Sequence, residues 1–403
     1  MAVILTLVLL LSWPTPSPAA DGQIPIYYNV HDGNAIRSLT EHNKHPLLAG
    51  ALIDVGWAET EPVRGKFDWS SIEKKLSVWA AGGKPVILKI RPYNQNPIER
   101  DPNGDNSATP RWVYSAGVPR ITFNSGGGGK GARVSVPKVW DPAFYGLYEE
   151  YVQALAAKFG SDARVSGLKI GVGHNGNSIA QASHDGTVAF KRAGWTLPIW
   201  EKHTTHVIDI YVKHFGTKRL MLRFTQKFLR DSPVSANPVV SRNLVKYAAE
   251  RRVSLLFGGL DADSDKFRKT GFPLLISYLA TLNPPPEFAI GFTDDWPLWV
   301  PPARSSKCPG PTCRRDLQGF STELRSALDL WSGIGKKIPI FFVFLEPETS
   351  VTNPTDKQFD KTIHDMVVAS VSGQPGPPAQ PSGEAPAGRR SKQHEKRQKR
   401  NSQ

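Results

Sequence analysis

Residues 50 to 90, "GALIDVGWAETEPVRGKFDWSSIEKKLSVWAAGGKPVILKI", decide the fold class of this chain. The stretch opens on an apolar run (50–57), passes through the amphipathic segment "WSSIEKKLSVWAAG" and closes on a second apolar run (85–90). Apolar residues at helical spacing between two short β-rich runs predict strand, helix, strand, the unit from which parallel sheets are built. Outward from there the pattern recurs. Further strands are predicted at 24–30 ("IPIYYNV"), 165–172 ("VSGLKIGV"), 219–224 ("RLMLRF"), 253–258 ("VSLLFG"), 288–293 ("FAIGFT") and 338–344 ("IPIFFVF"). Helical patterns fall between most of them, as in "PAFYGLYEEYVQALAAKFG", "PIWEKHTTHVIDIYVKHFG", "SRNLVKYAAERR" and "FSTELRSALDLWSGIG", and "DKQFDKTIHDMVVAS" follows the last. Eight strands alternating with helices suit a (β/α)8 TIM barrel better than an open doubly wound sheet, and no Gly-x-Gly-x-x-Gly follows the first strand. The expected fold is α/β, a single (β/α)8 barrel domain over residues 21–373. Its functional residues belong just past the C-terminal ends of the strands.

Composition and the two termini set the remaining bounds. A chain of 403 residues with 39% hydrophobic content and 11 tryptophans can bury a large core. Residues 2–12, "AVILTLVLLLS", form an apolar run of signal-peptide length, too short to cross a bilayer, and "PTPSPAA" supplies small residues for cleavage near Ala20. Residues 1–20 are therefore expected to be a signal peptide, although no basic residue precedes the run; the competing reading is a buried N-terminal element. No other stretch approaches transmembrane length, and the expected location is secreted or periplasmic. Cys308 and Cys313 bracket a Pro-Gly-Pro turn in "CPGPTC", which in an exported chain predicts a local disulfide rather than a metal site. No metal or other cofactor is expected.

The net charge of +14 is uneven. Residues 374–403 hold seven basic side chains against Glu384 and Glu395, in a Pro/Gly/Ala-rich and then basic segment that cannot bury apolar surface, so a disordered tail is expected. Such a tail suits contact with an anionic polymer or the cell envelope, or is simply solvated. The body carries no helix-turn-helix, zinc-finger or RNA-recognition signature, so no specific nucleic-acid recognition is expected.

Residues 54–90, with their Trp57, the acidic-Pro pair Glu61-Pro62, Gly65 and "FDW", resemble the second strand, helix and third strand of the (β/α)8 retaining glycoside hydrolases, especially the family 42 β-galactosidase type. "TPRWVY" near residue 109 and "VWDPAFYGLYEEYVQALAAKFGSDARVSGLKIGVG" (139–173) resemble the third loop, third helix and fourth strand of that group. The resemblance implies a carbohydrate substrate whose O-glycosidic bonds are cleaved by an acid/base glutamate after strand four and a nucleophilic glutamate after strand seven, about 5 Å apart in retaining enzymes. It also makes Glu61-Pro62 a structural turn.

This chain departs from that pattern where the chemistry would sit. Strand four leads into Gly173, His174, Asn175, Gly176 and Asn177, with no carboxylate before Asp185, and strand seven leads into Asp294 and Asp295. Three explanations compete. The acid comes from another strand, with Glu346 and Glu348 after strand eight and Asp261, Asp263 and Asp265 after strand six as sources. Alternatively His174 acts as acid or hydrogen-bond donor beside Asp294 or Asp295. In the third, catalysis has been lost and glycan binding kept. The assignment adopted is Glu346 as general acid, its pKa raised by the apolar "IPIFFVF" and Pro347, with Asp294 as base or nucleophile. His174 and Asn177 then hold substrate hydroxyls. Trp57 and Arg91 end strands two and three, Glu59 lies in the second loop, and Asp295 with Trp296 borders the aromatic "WPLW"; all five are expected to bind substrate. Asp54 falls inside its strand and, if it points into the barrel, needs a partner there. The segment 92–140 lacks strong periodicity and is expected to be a long loop containing a flexible lid around "NSGGGGKGAR".

Overall fold

A computed structural model describes residues 26–30, 43–44, 48–125, 131–225, 227–231, 238–260, 272–283, 288–292 and 340–345. The expected signal peptide, Cys308 and Cys313, the basic tail, and the candidates Asp261, Asp263, Asp265, Asp294, Asp295, Trp296, Glu346 and Glu348 lie outside those residues.

The eight strands expected from the apolar runs all join one parallel sheet. They are β1 (Ile26–Val30), β2 (Leu48–Gly56), β3 (Val86–Arg91), β6 (Val165–Lys169), β7 (Arg219–Phe224), β8 (Ser254–Leu260), β9 (Phe288–Phe292) and β10 (Ile340–Leu345). A further pair, β4 (Arg120–Asn124) and β5 (Arg133–Pro137), forms a separate antiparallel hairpin. In the parallel sheet each strand pairs with the next in chain order. The sheet curls until β10 pairs with β1, Tyr27 opposite Phe344, so that the strand order closes on itself.

Helices α1 (Trp57–Thr60), α2 (Ser70–Ala81), α3 (Arg111–Ser115), α4 (Pro142–Phe159), α5 (His184–Arg192), α6 (Leu197–Phe215), α7 (Pro238–Glu250) and α8 (Phe272–Leu279) connect the strands. The long ones start at recognisable signals. Asp141 accepts from the Ala143 N–H ahead of Pro142 in α4, and Thr196 accepts from the Ile199 N–H ahead of Pro198 in α6. Both combine an N-cap oxygen with a proline whose missing N–H costs nothing in the first turn.

Alternation along the strands sorts residues onto two faces. Ile53, Val55, Leu88, Ile90, Leu168, Leu220, Leu222 and Leu255 face outward into one apolar cluster with Ile72, Leu76 and Trp79 of α2, Leu155 of α4 and Val207 of α6. Tyr27, Leu52, Ile87, Met221 and Leu256 form a second, separate cluster inside the curl of the sheet. Two residues further along the same strands, toward their C-terminal ends, the inward face turns polar with Asn29, Asp54 and Lys89, and Lys169 joins them on β6.

The segment 92–140 departs from expectation. It contains α3 and the hairpin, tied down by buried polar side chains; of the stretch "NSGGGGKGAR" expected as a lid, residues 126–130 lie outside the described set. Asn106 is the hub. Its Nδ2 donates to Thr109 Oγ1, the Tyr114 hydroxyl and the Ser135 carbonyl, and its Oδ1 accepts from the N–H groups of Asn94, Ala108 and Thr109. Asp105 receives a bidentate Arg120 at 2.8 and 3.0 Å. Polar hubs of this kind leave no hydrophobic periodicity behind them.

Candidate functional site

The inward polar layer marks the end of the sheet where chemistry is expected. Register sets Asp54 of β2 beside Lys89 of β3, and Lys89 beside Lys169 of β6. Lys89 Nζ lies 2.7 Å from Asp54 Oδ1, and Arg91 Nη1 lies 3.7 Å from Asp54 Oδ2. The partner that Asp54 required is thus supplied by the neighbouring strand. Burial by itself raises the Asp54 pKa, but Lys89, Arg91 and Lys169 together outweigh it and hold the carboxyl below its ordinary range. Asp54 is therefore ionised at neutral pH and unsuited to act as a general acid.

Above this floor runs the stretch from Gly173 to Ser178. Lys169, fully buried, donates through Nζ to Asn177 Oδ1 at 2.6 Å. The backbone here is fastened at each step: His174 N–H to the Ile179 carbonyl, Asn175 N–H to Tyr93, Asn177 N–H to His174 and Ser178 N–H to Arg223. Its glycines serve that packing. A Cβ on Gly173 would lie 2.4 Å from the Ile179 carbonyl oxygen, and one on Gly176, where φ is +70°, would lie 2.2 Å from that of Ile90. The two glycines admit the chain's own backbone, not a ligand's close approach.

His174 is enclosed with its Nδ1 buried and without a hydrogen-bond partner, while Nε2 lies 3.2 Å from the Asn175 amide nitrogen. Burial first, and the charges of Lys89 and Lys169 second, push its pKa down to about 4. At neutral pH the ring is neutral, so it can offer or accept a hydrogen bond but cannot serve as an imidazolium acid. Its position near both lysines puts it over the polar floor, at the place where the resemblance would have set a glutamate.

The remaining described candidates separate. Arg91 ends β3 at the mouth, opposite Gly56 in register. Glu59 is exposed in α1, the short helix that follows β2; it accepts from the Ser71 hydroxyl and lies 4.0 Å from Lys75 Nζ. Trp57 is fully buried, stacked on Tyr151 with ring centroids 5.3 Å apart and edge-on to Trp112 at 5.6 Å. Its indole N–H donates to Glu61 Oε2 at 2.7 Å, and Glu61 Oε1 accepts from the Gly65 N–H at 2.8 Å. Trp57 has no free face for a sugar, and Glu61 closes a turn. Burial raises the Glu61 pKa against the lowering effect of those two donors.

Lys89, Lys169 and Gln181 were not singled out from the sequence. The signal for the lysines was present: "VILKI" and "GLKIG" each set one charge in an apolar strand, as "LIDVG" does for Asp54. Gln181 accepts from Gln95 Nε2 and bridges by backbone to Leu229, linking the loops that follow β3, β6 and β7. Among the described residues no group of three or more His, Cys, Asp or Glu could hold a metal ion, and no helix is long and apolar enough to cross a membrane.

No protein-family model matches the sequence, and no curated protein does. Among solved structures, the chain is similar to xylanase XynB from Paenibacillus barcinonensis (TM-score 0.46, 11% identity, 80% of this chain and 84% of that one). It is likewise similar to xylanase B from Clostridium stercorarium F9 (0.45, 12%, 83% and 90%). A third is the exo-β-1,4-mannosidase Op5Man5 from Opitutaceae bacterium strain TAV5 (0.44, 9%, 80% and 52%), of which this chain spans about half the length. All three names are those of glycoside hydrolases. Likeness at this level concerns the course of the chain and not its chemistry.

Proposed function

We propose that the chain is a carbohydrate-active (β/α)8 barrel of the glycoside hydrolase superfamily, resembling the family 42 β-galactosidase type, whose acid and base come from the last two strands of the sheet. The observation that carries the reading is the pairing of β9 with β10, which sets Val343 opposite Ile290 and Phe344 opposite Gly291. In sequence Asp294 follows two residues after Phe292, and Glu346 follows directly after Leu345. Neighbouring strands lie about 4.8 Å apart, and side chains that follow them can converge or splay to the separation that cleavage of a glycosidic bond requires. Glu346 is the acid and Asp294 the base or nucleophile. Strand β6 then supplies binding rather than acid: the neutral His174 and the Lys169-held Asn177 orient substrate hydroxyls, with Arg91, Glu59, Asp295 and Trp296 as further contacts.

A second reading has its own observation. Asp54 is held ionised by three cations, and the loop after β6 presents His174 and the Lys169-held Asn177 where the resemblance sets an acid/base glutamate. A barrel that binds glycans without cleaving them accounts for that equally.

Hydrolysis of aryl β-xylosides, β-mannosides and β-galactosides and of the matching polysaccharides separates the two. Turnover supports the enzyme; saturable binding without turnover supports the module; neither binding nor turnover refutes both. Export to a secreted or periplasmic location, the signal peptide at 1–20 and the Cys308–Cys313 disulfide belong to the same proposal. Thiol titration of the native protein, which should find no free thiol, checks the last. The basic tail is proposed as a tether to anionic polymer or envelope.

A further inference from the structure

Among the described residues, Arg223 of β7 is an arginine withdrawn from water whose side chain has no partner. Arg64, Arg111, Arg120, Arg164 and Arg251 each reach a carboxylate, and Arg91 lies beside Asp54. Arg133, Arg192, Arg230 and Arg252 are exposed, where water solvates the charge. Arg223 is half-buried, and among the described residues no hydrogen bond, ion pair or ring contact engages its guanidinium.

Its direction follows from the strand. Leu220, Leu222 and Phe224 belong to the outer apolar cluster and Met221 to the inner one, so alternation turns Arg223 inward, beyond Met221 toward the C-terminal mouth. Its register partner on β8, Leu256, belongs to the inner cluster as well. The Ser178 N–H donates to the Arg223 carbonyl, which fixes the residue against the loop that carries His174 and Asn177.

A guanidinium keeps its charge at any ordinary pH, and holding it away from water without a counter-charge costs free energy. The group that suits it is a planar oxyanion, which accepts its N–H groups in pairs and neutralises it as a hydroxyl cannot. A second observation in the same mouth has the same sign. The His174 ring, on the loop after the neighbouring strand β6, is held neutral by burial and by the positive charges of Lys89 and Lys169, and its Nδ1 is buried without a partner. A potential that repels a proton from an imidazole attracts an anion.

We infer that Arg223 is a substrate-binding residue and that its ligand is an acidic saccharide, a sugar unit whose carboxylate the guanidinium receives. The inference rests on the carbohydrate reading above and deepens it from sugars in general to uronates.

The test is calorimetric titration of the full chain with trisaccharides of galacturonate and of glucuronate, each against its neutral counterpart built of galactose or glucose. The parent should bind one of the acidic trisaccharides at least about tenfold more tightly than its neutral counterpart, one decade in Kd. Added salt should narrow the difference. Arg223→Met should abolish the preference while keeping the affinity for the neutral sugar, with a melting temperature at or above the parent's because an unpaired charge has been removed. Arg223→Lys, which retains the charge without the planar fork, should keep part of the preference. A parent that binds the neutral trisaccharides as tightly as the acidic ones overturns the inference and leaves the carbohydrate reading standing. So does an Arg223→Met protein that keeps the preference or melts well below the parent. A parent that binds no saccharide of either kind overturns the carbohydrate reading and the inference with it.

Discussion

Two layers of the same strands, two residues apart, are built in opposite ways. The lower inward layer, with Tyr27, Leu52, Ile87, Met221 and Leu256, is apolar; the layer above it, with Asn29, Asp54, Lys89 and Lys169, puts three charges within one neighbourhood of the interior. Filling the inside of a curled parallel sheet with apolar side chains is enough to hold it together, and the lower layer does so. Burying an ion pair gains little over an apolar pair of similar volume, because desolvation cancels most of the attraction. Stability alone therefore does not account for the upper layer, and we propose that it serves the mouth while the lower layer serves the fold.

The comparison breaks most visibly at Asp54. Asp54→Ala leaves Lys89 buried without its 2.7 Å partner and should destabilise by about 3–5 kcal/mol, as large an effect as Leu52→Ala, for which about 2–5 kcal/mol is expected. Replacing the pair together, Asp54→Leu with Lys89→Met, should be neutral or stabilising by up to about 4 kcal/mol. Denaturant unfolding of the four proteins measures this. A double variant as unstable as Asp54→Ala would make the charged layer a structural requirement.

Next in size is the loop after β6. Gly176→Ala places a Cβ 2.2 Å from the Ile90 carbonyl at a φ of +70°, so the loop must move, and a loss of about 1–3 kcal/mol is expected from the backbone conformation alone. Unfolding that matches the parent would show the loop to be loosely held and would reopen its glycines to a ligand.

Acid titration sharpens the contrast further. Asp54 has a depressed folded pKa, so its stabilisation is present above the usual carboxylate range and is lost as pH falls through the folded value. His174 is pushed from 6.5 to about 4, so the unfolded chain takes up its proton first and stability falls between those two values. His203, held neutral by burial and likewise near 4, acts in the same window. Melting temperature should drop from pH 6.5 to pH 4 in the parent, with a shallower drop in His174→Asn. Equal slopes would mean that His174 titrates normally. The smallest effect is expected at Asn175, whose φ of 51° glycine adopts freely: Asn175→Gly should change stability by no more than about 1 kcal/mol.

What could be read in advance follows from these forces. The eight strands were legible because outward faces such as Ile53, Val55, Leu88 and Ile90 are apolar and the inward faces are nearly so, making continuous runs. Helices α4 and α6 were legible through the amphipathic runs "PAFYGLYEEYVQALAAKFG" and "PIWEKHTTHVIDIYVKHFG". The hairpin within 92–140 was illegible because Asn106, Asp105 and Arg120 organise it by hydrogen bonds, which leave no period. At the site, Asp54 could be flagged as needing a partner. The matching lysines on β3 and β6 emerge only from register, which places three isolated charges on three separate strands side by side.

The proposed catalysis depends most directly on Asp294 and Glu346, which follow β9 and β10 in sequence. The measurement is kcat on the best glycoside found for the parent, compared with Glu346→Gln and Asp294→Asn. Each substitution should lower kcat by at least about a hundredfold, the scale of a lost general acid or base, with melting temperature unchanged. Variants that hydrolyse that glycoside as fast as the parent would contradict it.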